Sequence, residues 1–476
     1  MEKSNVLILC SDEHARRALG CYGHPVAQTP TLDRLATAGL RFTRAYSPSP
    51  ICISARASLA TGLEVHEHRC WSSAEPYHGQ HESWMHRLRA RDHAVVSIGK
   101  LHFRSANDDN GFSEELLPIH LANGGKGWPQ ALLRRPLCDF DQAAELARDA
   151  GPGDSDYTDF DKAVATEACR WLKRYPQRIK NRPWALFVSF VSPHYPLIAP
   201  QPFYDLYAGQ RMAPAVAEGP ARPHHPVLRE IAKFWDYESH FDPPSRERAK
   251  RAYFGLCSFL DDNIRQVLEA LEDSGAAGET LVLYLSDHGE MLGNHGFWTK
   301  SVMYEDSVGI PLLMRGRGLP TGENDTLVSL TDVAATVERA VGLEPRPAET
   351  PWQGRPLQDI AAAPDAARFL LSQYHDGGSP TGYFMLRQDD WKLVHYAGGH
   401  PPQLFDMAGD PYELRDLGED PDFERRREDL YGRLTEILDP EAVNDQAFAD
   451  QAAVLQRFGG REAVAALPGF NHTPIT

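Results

Sequence analysis

Cysteine is scarce in this sequence, and its arrangement argues against cross-linking. The 476 residues contain seven cysteines, an odd number, and no two of them form a Cys-x-x-Cys pair. Disulfide-stapled domains and zinc knuckles depend on paired, closely spaced cysteines. The sequence therefore excludes both classes, and we expect most of these cysteines to be buried apolar residues.

Long hydrophobic runs are also missing. No apolar stretch approaches the roughly 20 residues that span a bilayer. The apolar run near the start, residues 6–10, is shorter than the hydrophobic region of a signal peptide. We therefore expect a cytoplasmic protein with no membrane partner.

Positive charge is in short supply. Lysine and arginine number 49 against 66 aspartates and glutamates, which gives a formal net charge of −17. Nucleic acids and anionic membranes attract basic proteins, so we expect no nucleic-acid partner. A small anionic substrate is still compatible with this charge, because a pocket can be locally positive.

What is present is typical of a folded α/β protein, with 42% hydrophobic and 24% charged residues. Five apolar runs predict buried parallel strands at 5–10, 94–99, 185–192, 280–286 and 311–315. Helical periodicity lies between them, at 31–40, 161–175, 247–274 and 332–341. The alternation predicts an open, mostly parallel α/β sheet covered by helices. In such sheets, ligands bind at the carboxyl ends of the strands.

The C-terminal part predicts a smaller unit. Strand patterns at 369–373, 382–386, 391–396 and 403–405 predict a small antiparallel sheet, and 422–438 predicts a helix that packs on it. We therefore predict three parts: an α/β domain that carries the chemistry (1–365), an α+β subdomain (366–440) and a tail (441–476). The tail has one helical piece and an extended end, and we expect it to contact another subunit of a homo-oligomer.

Two of the predicted strands end in residues that suit a metal ion. Asp12 follows the first strand, and Asp287 and His288 follow the strand at 280–286. Carboxylate oxygen and imidazole nitrogen together suit a divalent cation that acts as a Lewis acid. Asp12 alone is better explained as a turn or helix cap. Both sets at strand ends of one sheet predict a metal site.

A third segment places a cysteine where a helix is predicted to start. Cys52 precedes a helical segment, and the N-terminus of a helix attracts anions and lowers the pKa of a thiol. Arg56 lies about one turn further along and can reach back. An inert buried cysteine is the ordinary alternative for a lone Cys.

These segments, in this order, resemble the type I sulfatases, the formylglycine-dependent branch of the alkaline phosphatase superfamily. Cys52-x-Ser54-x-Arg56, followed by Ala-Ser-Leu-Ala-Thr-Gly, resembles the formylglycine signature of that family. Other matching segments lie at 20–23, 29–35, 99–103, 192–196, 287–293, 298–300, 391–393 and 403–406. The resemblance covers nearly the whole chain and is greatest to choline sulfatases and phosphonate monoester hydrolases. It implies an alkaline-phosphatase-like fold with a small C-terminal sheet and helix.

The resemblance implies that a formylglycine-generating enzyme oxidises Cys52 to formylglycine. One hydroxyl of the hydrated aldehyde attacks sulfur or phosphorus, the ester oxygen leaves, and the second hydroxyl then expels sulfate. The same resemblance implies that Asp12, residue 52, Asp287 and His288 bind one divalent ion, Ca²⁺ or Mn²⁺. Arg56 is then expected to hold the metal-bound hydroxyl and the start of the helix.

Four further residues are implied to contact the substrate. By match to the family, Lys100, His102, His194 and Lys300 surround the nonbridging oxygens of the ester and stabilise charge there. His102 or His194 is expected to act as general acid or base, since imidazole titrates near neutral pH.

Three residues depart from the family's pattern. Ser54 stands where Pro or Ala is usual, a change that bears on maturation of Cys52. Glu13 stands where many sulfatases have a second metal-binding Asp, and its longer side chain leads us to leave it out of the ligand set. Gly309 stands where the family often has Arg, so we expect a wider pocket or a lost charge.

The sequence thus predicts hydrolysis of a small anionic sulfate monoester to an alcohol and sulfate. A phosphonate monoester or phosphodiester hydrolase with the same site is the alternative, because a sulfate monoester and a phosphodiester each carry one negative charge. Promiscuous activity on such esters is expected in either case. A non-enzymatic anion binder ranks third, since it requires a broken metal set. Trp128 is predicted either to line the substrate pocket by cation–π contact or to pack a loop.

Overall fold

The computed structural model describes residues 3–174, 182–213, 215–217, 224–344, 354–469 and 472–475. Its strands are β1 (Asn5–Asp12), β2 (Leu40–Phe42), β3 (Ala45–Tyr46), β4 (Ala94–Lys100), β5 (Glu114–Ile119), β6 (Gly151–Pro152), β7 (Trp184–Pro193), β8 (Ile198–Ala199), β9 (Thr280–Ser286), β10 (Leu312–Arg315), β11 (Gly322–Asn324), β12 (Val328–Ser329), β13 (Phe369–Tyr374), β14 (Tyr383–Gln388), β15 (Trp391–Tyr396) and β16 (Gln403–Asp406). Its helices are α1 (Pro30–Ala38), α2 (Cys52–Thr61), α3 (Val65–His68), α4 (Trp84–Arg89), α5 (Ala122–Gly125), α6 (Ala143–Asp149), α7 (Asp156–Arg174), α8 (Gln201–Asp205), α9 (Pro226–Trp235), α10 (Pro243–Asp273), α11 (Glu305–Val308), α12 (Thr331–Ala340), α13 (Leu357–Ala362), α14 (Glu424–Ile437), α15 (Pro440–Arg457) and α16 (Gly460–Ala465).

An eight-stranded sheet forms the centre of the molecule, in the order β11-β2-β10-β9-β1-β7-β4-β5. The strands β9, β1, β7, β4 and β5 run parallel to one another. β1, β7 and β9 are buried almost throughout, as expected of central strands covered on both faces. The predicted mostly parallel α/β sheet is therefore confirmed.

One predicted strand has the wrong direction. Residues 311–315 are predicted as a parallel strand, but β10 pairs antiparallel with β9. A parallel neighbour needs a crossover that returns the chain to the opposite end of the sheet. Between β9 and β10 the chain forms loops and one four-residue helix instead, so it re-enters the sheet from the end where β9 finishes.

Helices cover both faces of this sheet. On one face, α7 and α10 contribute Val164, Ala168, Leu260 and Ile264 to a core shared with the sheet. On the other face, α2, α4 and α12 contribute a second core that includes Ala57, Leu88 and Val333. The hydrophobic periodicity that predicts α7 and α10 thus marks the sides of those helices that are buried.

The smaller sheet is antiparallel in the order β13-β14-β15-β16, as predicted. Leu430 and Leu434 of α14 pack on it. The division of the chain at residues 365 and 440 stays a prediction.

The tail holds more helix than predicted. One helical piece and an extended end are predicted for residues 441–476, and α15 and α16 occupy much of this segment. Asp439 begins α15 by accepting hydrogen bonds from the backbone N–H groups of Glu441 and Ala442, with Pro440 at the first helical position. This start signal was overlooked. The described end of the tail, 472–475, lies against the same chain.

None of the helices in the described parts of the chain combines the length and the apolar content that crossing a bilayer requires.

A buried ion network joins the small sheet to the main domain. Lys392 of β15 is fully buried, and its Nζ lies 2.7 Å from a carboxylate oxygen of Glu413 and 3.1 Å from one of Glu305. Arg16 pairs with the other oxygen of Glu305 at 2.7 Å. Lys392 therefore pairs with two carboxylates where the two units meet, and Arg16 supplies the second positive charge.

We predict that Lys392→Met lowers the free energy of unfolding by about 3 kcal/mol, because it leaves the buried Glu413 without its cation and Glu305 with Arg16 alone. Arg415→Met is the matched control, since Arg415 pairs with Asp420 on the surface with 71% of its side chain exposed; it should change little. Chemical denaturation of the two variants measures the difference. Equal stability of both would show that the network does not support the junction.

Candidate active site

The carboxyl ends of β1 and β9 bring two aspartates side by side. These strands are parallel neighbours with Ser11 opposite Ser286, so Asp12 and Asp287 follow at the same level of the sheet. Both side chains are fully buried. The expectation that strand ends meet at one edge of the sheet thus holds for this pair.

Helix α2 aims its first residue at this pair. Cys52 is the first residue of α2, and its Sγ lies 3.0 Å from Nε2 of His288 and 3.6 Å from Oδ1 of Asp12. The Ser54 hydroxyl donates to the carbonyl of Cys70 at 2.6 Å. The predicted helix start is therefore present, and Ser54 fastens it to the chain near residue 70.

Arg56 lies one turn along α2 and faces both aspartates. Its Nε donates to Asp287 at 2.8 Å and its Nη2 to Asp12 at 3.0 Å. Its Nη1 donates to the carbonyl of Lys100 at 2.8 Å and to the hydroxyl of Ser189 at 3.0 Å. Only 2% of Arg56 is exposed, so this guanidinium is a buried clamp on the site.

The donor set fits one divalent metal ion. Ligand atoms of Asp12, Cys52, Asp287 and His288 all lie within 4.8 Å of one another, and all four residues are buried. His288 Nδ1 bonds the carbonyl of Gly289 at 3.0 Å, which directs Nε2 at the cluster. That Nε2 lies 3.8 Å from an oxygen of each aspartate. Two carboxylates and an imidazole suit a divalent cation.

The surroundings bias the charge of these groups. Burial would raise the pKa of the Asp12 carboxyl, but Lys100, His194 and Arg56 hold it well below its usual range. Burial, and then the Asp12 carboxylate, raise the pKa of the Cys52 thiol. An unmodified thiol here is thus a weak nucleophile near neutral pH unless a metal ion offsets the shift.

Lysines and histidines form the opposite wall of the site. Lys100 Nζ lies 2.6 Å from Asp12. Lys300 Nζ lies 2.8 Å from Nε2 of His194, and His194 Nδ1 bonds the carbonyl of Tyr195 at 2.5 Å. His194 thus donates through Nδ1, and Nε2 accepts from Lys300. His102 also lines the cavity, so all four predicted substrate-contacting residues lie in this region.

The surroundings disfavour the protonated form of both imidazoles. Burial lowers the pKa of His194 well below its ordinary value, and Lys300 adds to the shift. Burial and then Lys100 do the same for His102. Burial and the neighbouring ammonium groups therefore favour the neutral ring at both positions.

The carboxylate of Glu13 forms an ion pair with the Lys300 ammonium. Its Oε2 lies 3.0 Å from the Lys300 ammonium and 3.3 Å from His194. Asp12, Glu13 and His194 do form a second close group of possible ligands, but an ammonium on the same oxygen competes with a second cation. This contact supports leaving Glu13 out of the ligand set.

Gly309 does not open the cavity. A Cβ built at Gly309 would lie 3.3 Å from the guanidinium carbon of Arg16, and Arg16 pairs with Glu305. The space and the charge that a side chain would supply are thus taken by Arg16. Gly309 is absent from the residues that line the cavity, so the expected widening is wrong.

Aromatic rings line the cavity above the site. Trp128 lies 5.5 Å from Trp235 between ring centroids, and Phe140 lies 4.8 Å from Trp235 and 5.9 Å from Tyr237. Tyr195 stacks on His194 at 4.1 Å. Trp128 therefore lines the cavity and packs on neighbouring rings, as predicted, whereas its cation–π contact with a substrate stays a prediction.

Asp376 is a functional candidate that the sequence prediction missed. It lines the same cavity, is 2% exposed, and accepts hydrogen bonds from the backbone N–H of Ser73 at 2.9 Å and from its hydroxyl at 2.5 Å. The two glycines that follow it make room for the rings: a Cβ at Gly377 would lie 2.8 Å from Trp128. The signal was an Asp-Gly-Gly sequence just after a predicted strand.

Comparison with known proteins agrees with this geometry. The sequence model described as Sulfatase matches residues 4–343, and one described as N-sulphoglucosamine sulphohydrolase, C-terminal, matches 293–439. The choline-sulfatase of Rhizobium meliloti (strain 1021) is 31% identical over 430 residues, 88% of this chain and 83% of that protein. Arylsulfatase K of Danio rerio is 27% identical over 467 residues, 93% of this chain and 85% of that protein.

Solved structures share the fold. The phosphonate monoester hydrolase of Agrobacterium radiobacter superimposes with a TM-score of 0.72 at 24% identity, covering 91% of this chain and 95% of its own. A protein solved in complex with its substrate D-glucosamine-2-N,6-O-disulfate superimposes with a TM-score of 0.73 at 19% identity, covering 94% and 99%.

We predict that Asp287→Asn abolishes stoichiometric metal binding whereas Glu13→Gln leaves it unchanged. The first change removes a charged oxygen from the ligand cluster, and the second changes only the partner of Lys300. Elemental analysis of the dialysed proteins measures the ratio of metal to chain. Loss of metal in Glu13→Gln would instead make Glu13 a ligand.

Proposed function

This chain belongs to the sulfatase family and is a sulfuric ester hydrolase, and we propose that residue 52 supplies the nucleophile of its reaction. The observation that carries the proposal is the position of Cys52: it begins a helix, lies against His288 and Asp12, and lines a cavity together with His102, His194 and Lys300. A formylglycine-generating enzyme would first oxidise its thiol to the aldehyde of formylglycine.

The metal cluster prepares the nucleophile. A divalent ion held by Asp12, residue 52, Asp287 and His288 would act as a Lewis acid that lowers the pKa of one hydroxyl of the aldehyde hydrate. Arg56 keeps both aspartates oriented towards residue 52. The chain thus presents one activated oxygen at the N-terminus of α2, where an anionic group is favoured.

The cations of the opposite wall position the ester. Lys100 and Lys300 place two ammonium groups near the attacked sulfur, where charge on the nonbridging oxygens needs stabilisation. The alcohol oxygen requires a proton as it leaves, and the Lys300 ammonium, which lines the cavity beside His194, would donate it directly. His102, neutral and on the same cavity, would take the proton of the second hydroxyl when sulfate is expelled.

The upper cavity fits a small apolar or cationic alcohol. Aromatic faces attract a quaternary ammonium group, and the carboxylate of Asp376 adds the opposite charge. The relative named choline-sulfatase is the most identical of those described above. We therefore propose a sulfate ester whose alcohol carries a quaternary ammonium group, bound among Trp128, Trp235, Tyr237 and Asp376.

A phosphonate monoester or phosphodiester remains the alternative substrate. Lys100, His102, His194 and Lys300 would recognise the negative charge and the oxygens of the ester, which do not depend on whether the central atom is sulfur or phosphorus. Slower turnover of such esters is therefore expected from the same site.

The first test is the state of residue 52. In protein co-expressed with a formylglycine-generating enzyme, we predict that the mass of the tryptic peptide containing Cys52 shows the aldehyde or its hydrate. Cys52→Ala should abolish turnover, while Cys52→Ser should react once and retain a sulfate ester, because serine lacks the second hydroxyl that expels it. An unmodified thiol in an active wild-type enzyme would refute the proposed nucleophile.

A pair of matched substrates tests the alcohol subsite. We predict that kcat/KM for choline sulfate exceeds that for 3,3-dimethylbutyl sulfate, its neutral isostere, by at least tenfold, since only the ammonium gains from the rings and from Asp376. Asp376→Asn should reduce this ratio, and Trp128→Phe should reduce it less than Trp128→Leu. Equal kcat/KM for both esters in the wild type would contradict the prediction and would show that the subsite recognises apolar surface but not the positive charge.

A further inference from the structure

The end of the chain reaches the reaction centre. Thr473 Oγ1 lies 3.0 Å from Nε2 of His102, and the Tyr157 hydroxyl donates to the carbonyl of Thr473 at 2.7 Å. The ring of His472 meets Tyr157 edge-on, with centroids 5.1 Å apart. His472 and Thr473 line the same cavity as Cys52. The last residues of the chain therefore form part of the cavity wall.

Local sequence favours this placement. Thr473 precedes Pro474, and a residue before proline is restricted to extended conformations. Ile475 packs against the apolar core that contains Tyr157 and Phe160. Thr473 is thus held between an apolar anchor and the hydrogen bond from Tyr157.

The path of the tail connects it to the cavity of its own chain. The carbonyl of Leu467 accepts a hydrogen bond from the side chain of Gln130 at 2.9 Å, and Gly469 lies against Gln142. Gln130 lies between Trp128 and Phe140, two residues of the aromatic wall. Thr473 follows Leu467 by six positions, which an extended chain spans in about 20 Å. Both Leu467 and Thr473 thus contact residues of their own chain around one cavity.

Thr473 is a suitable partner for an imidazole that moves a proton. His102 is 6% exposed, and among the described residues its Nδ1 has no hydrogen-bond partner. A threonine hydroxyl both donates and accepts, so it can stay bonded to Nε2 in either tautomer of the ring. Nδ1 can then gain or lose a proton while the ring keeps its orientation.

We propose that the C-terminal segment 472–475 completes the substrate cavity of its own chain, and that Thr473 positions His102. This inference rests on the proposed function, since it assigns His102 a proton-transfer role in that reaction. The segment is a specificity-determining wall, and Thr473 is a positioning residue that acts through His102.

A chain ending at Gly469 tests the wall. It retains the contact of Leu467 with Gln130 but lacks residues 470–476. We expect the ratio of kcat/KM for choline sulfate to that for the larger 4-nitrophenyl sulfate to fall at least tenfold, because the small ester loses an enclosing surface that the larger one does not need. An unchanged ratio would refute the proposal that this segment forms a wall of the cavity, even if both activities and the midpoint of thermal unfolding fell.

Substitutions at Thr473 test the positioning role. Thr473→Val should lower kcat at least fivefold with KM within about twofold of wild type, and Thr473→Ser should restore most of kcat. Thr166→Val is the matched control, because Thr166 is exposed on α7 and its hydroxyl bonds only the carbonyl of Lys162. If Thr473→Val has the same kcat and KM as Thr166→Val, Thr473 does not position His102.

A mixing experiment asks which chain supplies the tail. The shortened chain is co-expressed with a Cys52→Ala chain that has an intact tail. We expect no recovery of the lost selectivity, since each cavity is closed by its own tail. Recovery would overturn the assignment within one chain and place the tail between subunits, as expected from the sequence.

Labelling separates this inference from the proposed function. In protein made without the maturation enzyme, a thiol reagent should modify Cys52 at least fivefold faster in the shortened chain than in the full chain, as measured on the Cys52 peptide. If the wild type hydrolyses no sulfate ester, the proposed function falls while this rate still tests closure of the cavity. Equal labelling rates would overturn the closure, whatever the catalytic result.

Discussion

The guanidinium of Arg56 is the constraint on which the rest of the site depends. It bonds Asp12 at the end of β1, the Lys100 carbonyl at the end of β4, Ser189 in β7 and Asp287 just after β9. One buried side chain thus ties four neighbouring strands to helix α2. A planar fork of donors is required for this, and a lysine ammonium at the same position could not reach these acceptors together.

This clamp also sets the electrostatics of the cavity. Asp12 and Asp287 are the carboxylates of the metal cluster, and Arg56, Lys100 and Lys300 are the cations around them. Glu13, which pairs with Lys300, is a third carboxylate, so the three cations are matched by three carboxylates and a divalent ion would make the site positive. A chain with a strongly negative net charge could therefore favour anions in this cavity once the ion is bound, because these charges are buried and little screened by solvent.

The sequence predicts the reaction centre better than the cavity above it. Asp12, Asp287 and His288 follow strands whose apolar runs are evident, and Cys52 begins a recognisable helix, so periodicity and motif both locate them. Asp376 and Thr473 lie outside the helices and strands and Trp235 ends α9, so their meeting depends on how distant segments pack, which no local pattern encodes. The direction of β10 was missed for a related reason: an apolar run marks a buried strand but carries no sign of the connection before it.

Ser54 shows how one position can answer to two separate requirements. In the folded protein its hydroxyl donates a hydrogen bond to the Cys70 carbonyl, a contact that neither proline nor alanine could make. Ser54 therefore helps to hold the start of α2 in place. Cys52 is only 4% exposed in that state, which leaves little room for a modifying enzyme. The proposed oxidation would therefore take place before the chain folds, when the modifying enzyme meets Ser54 in a flexible peptide. Ser54 can thus stabilise the folded site, and its effect on the oxidation of Cys52 would be limited to the unfolded chain.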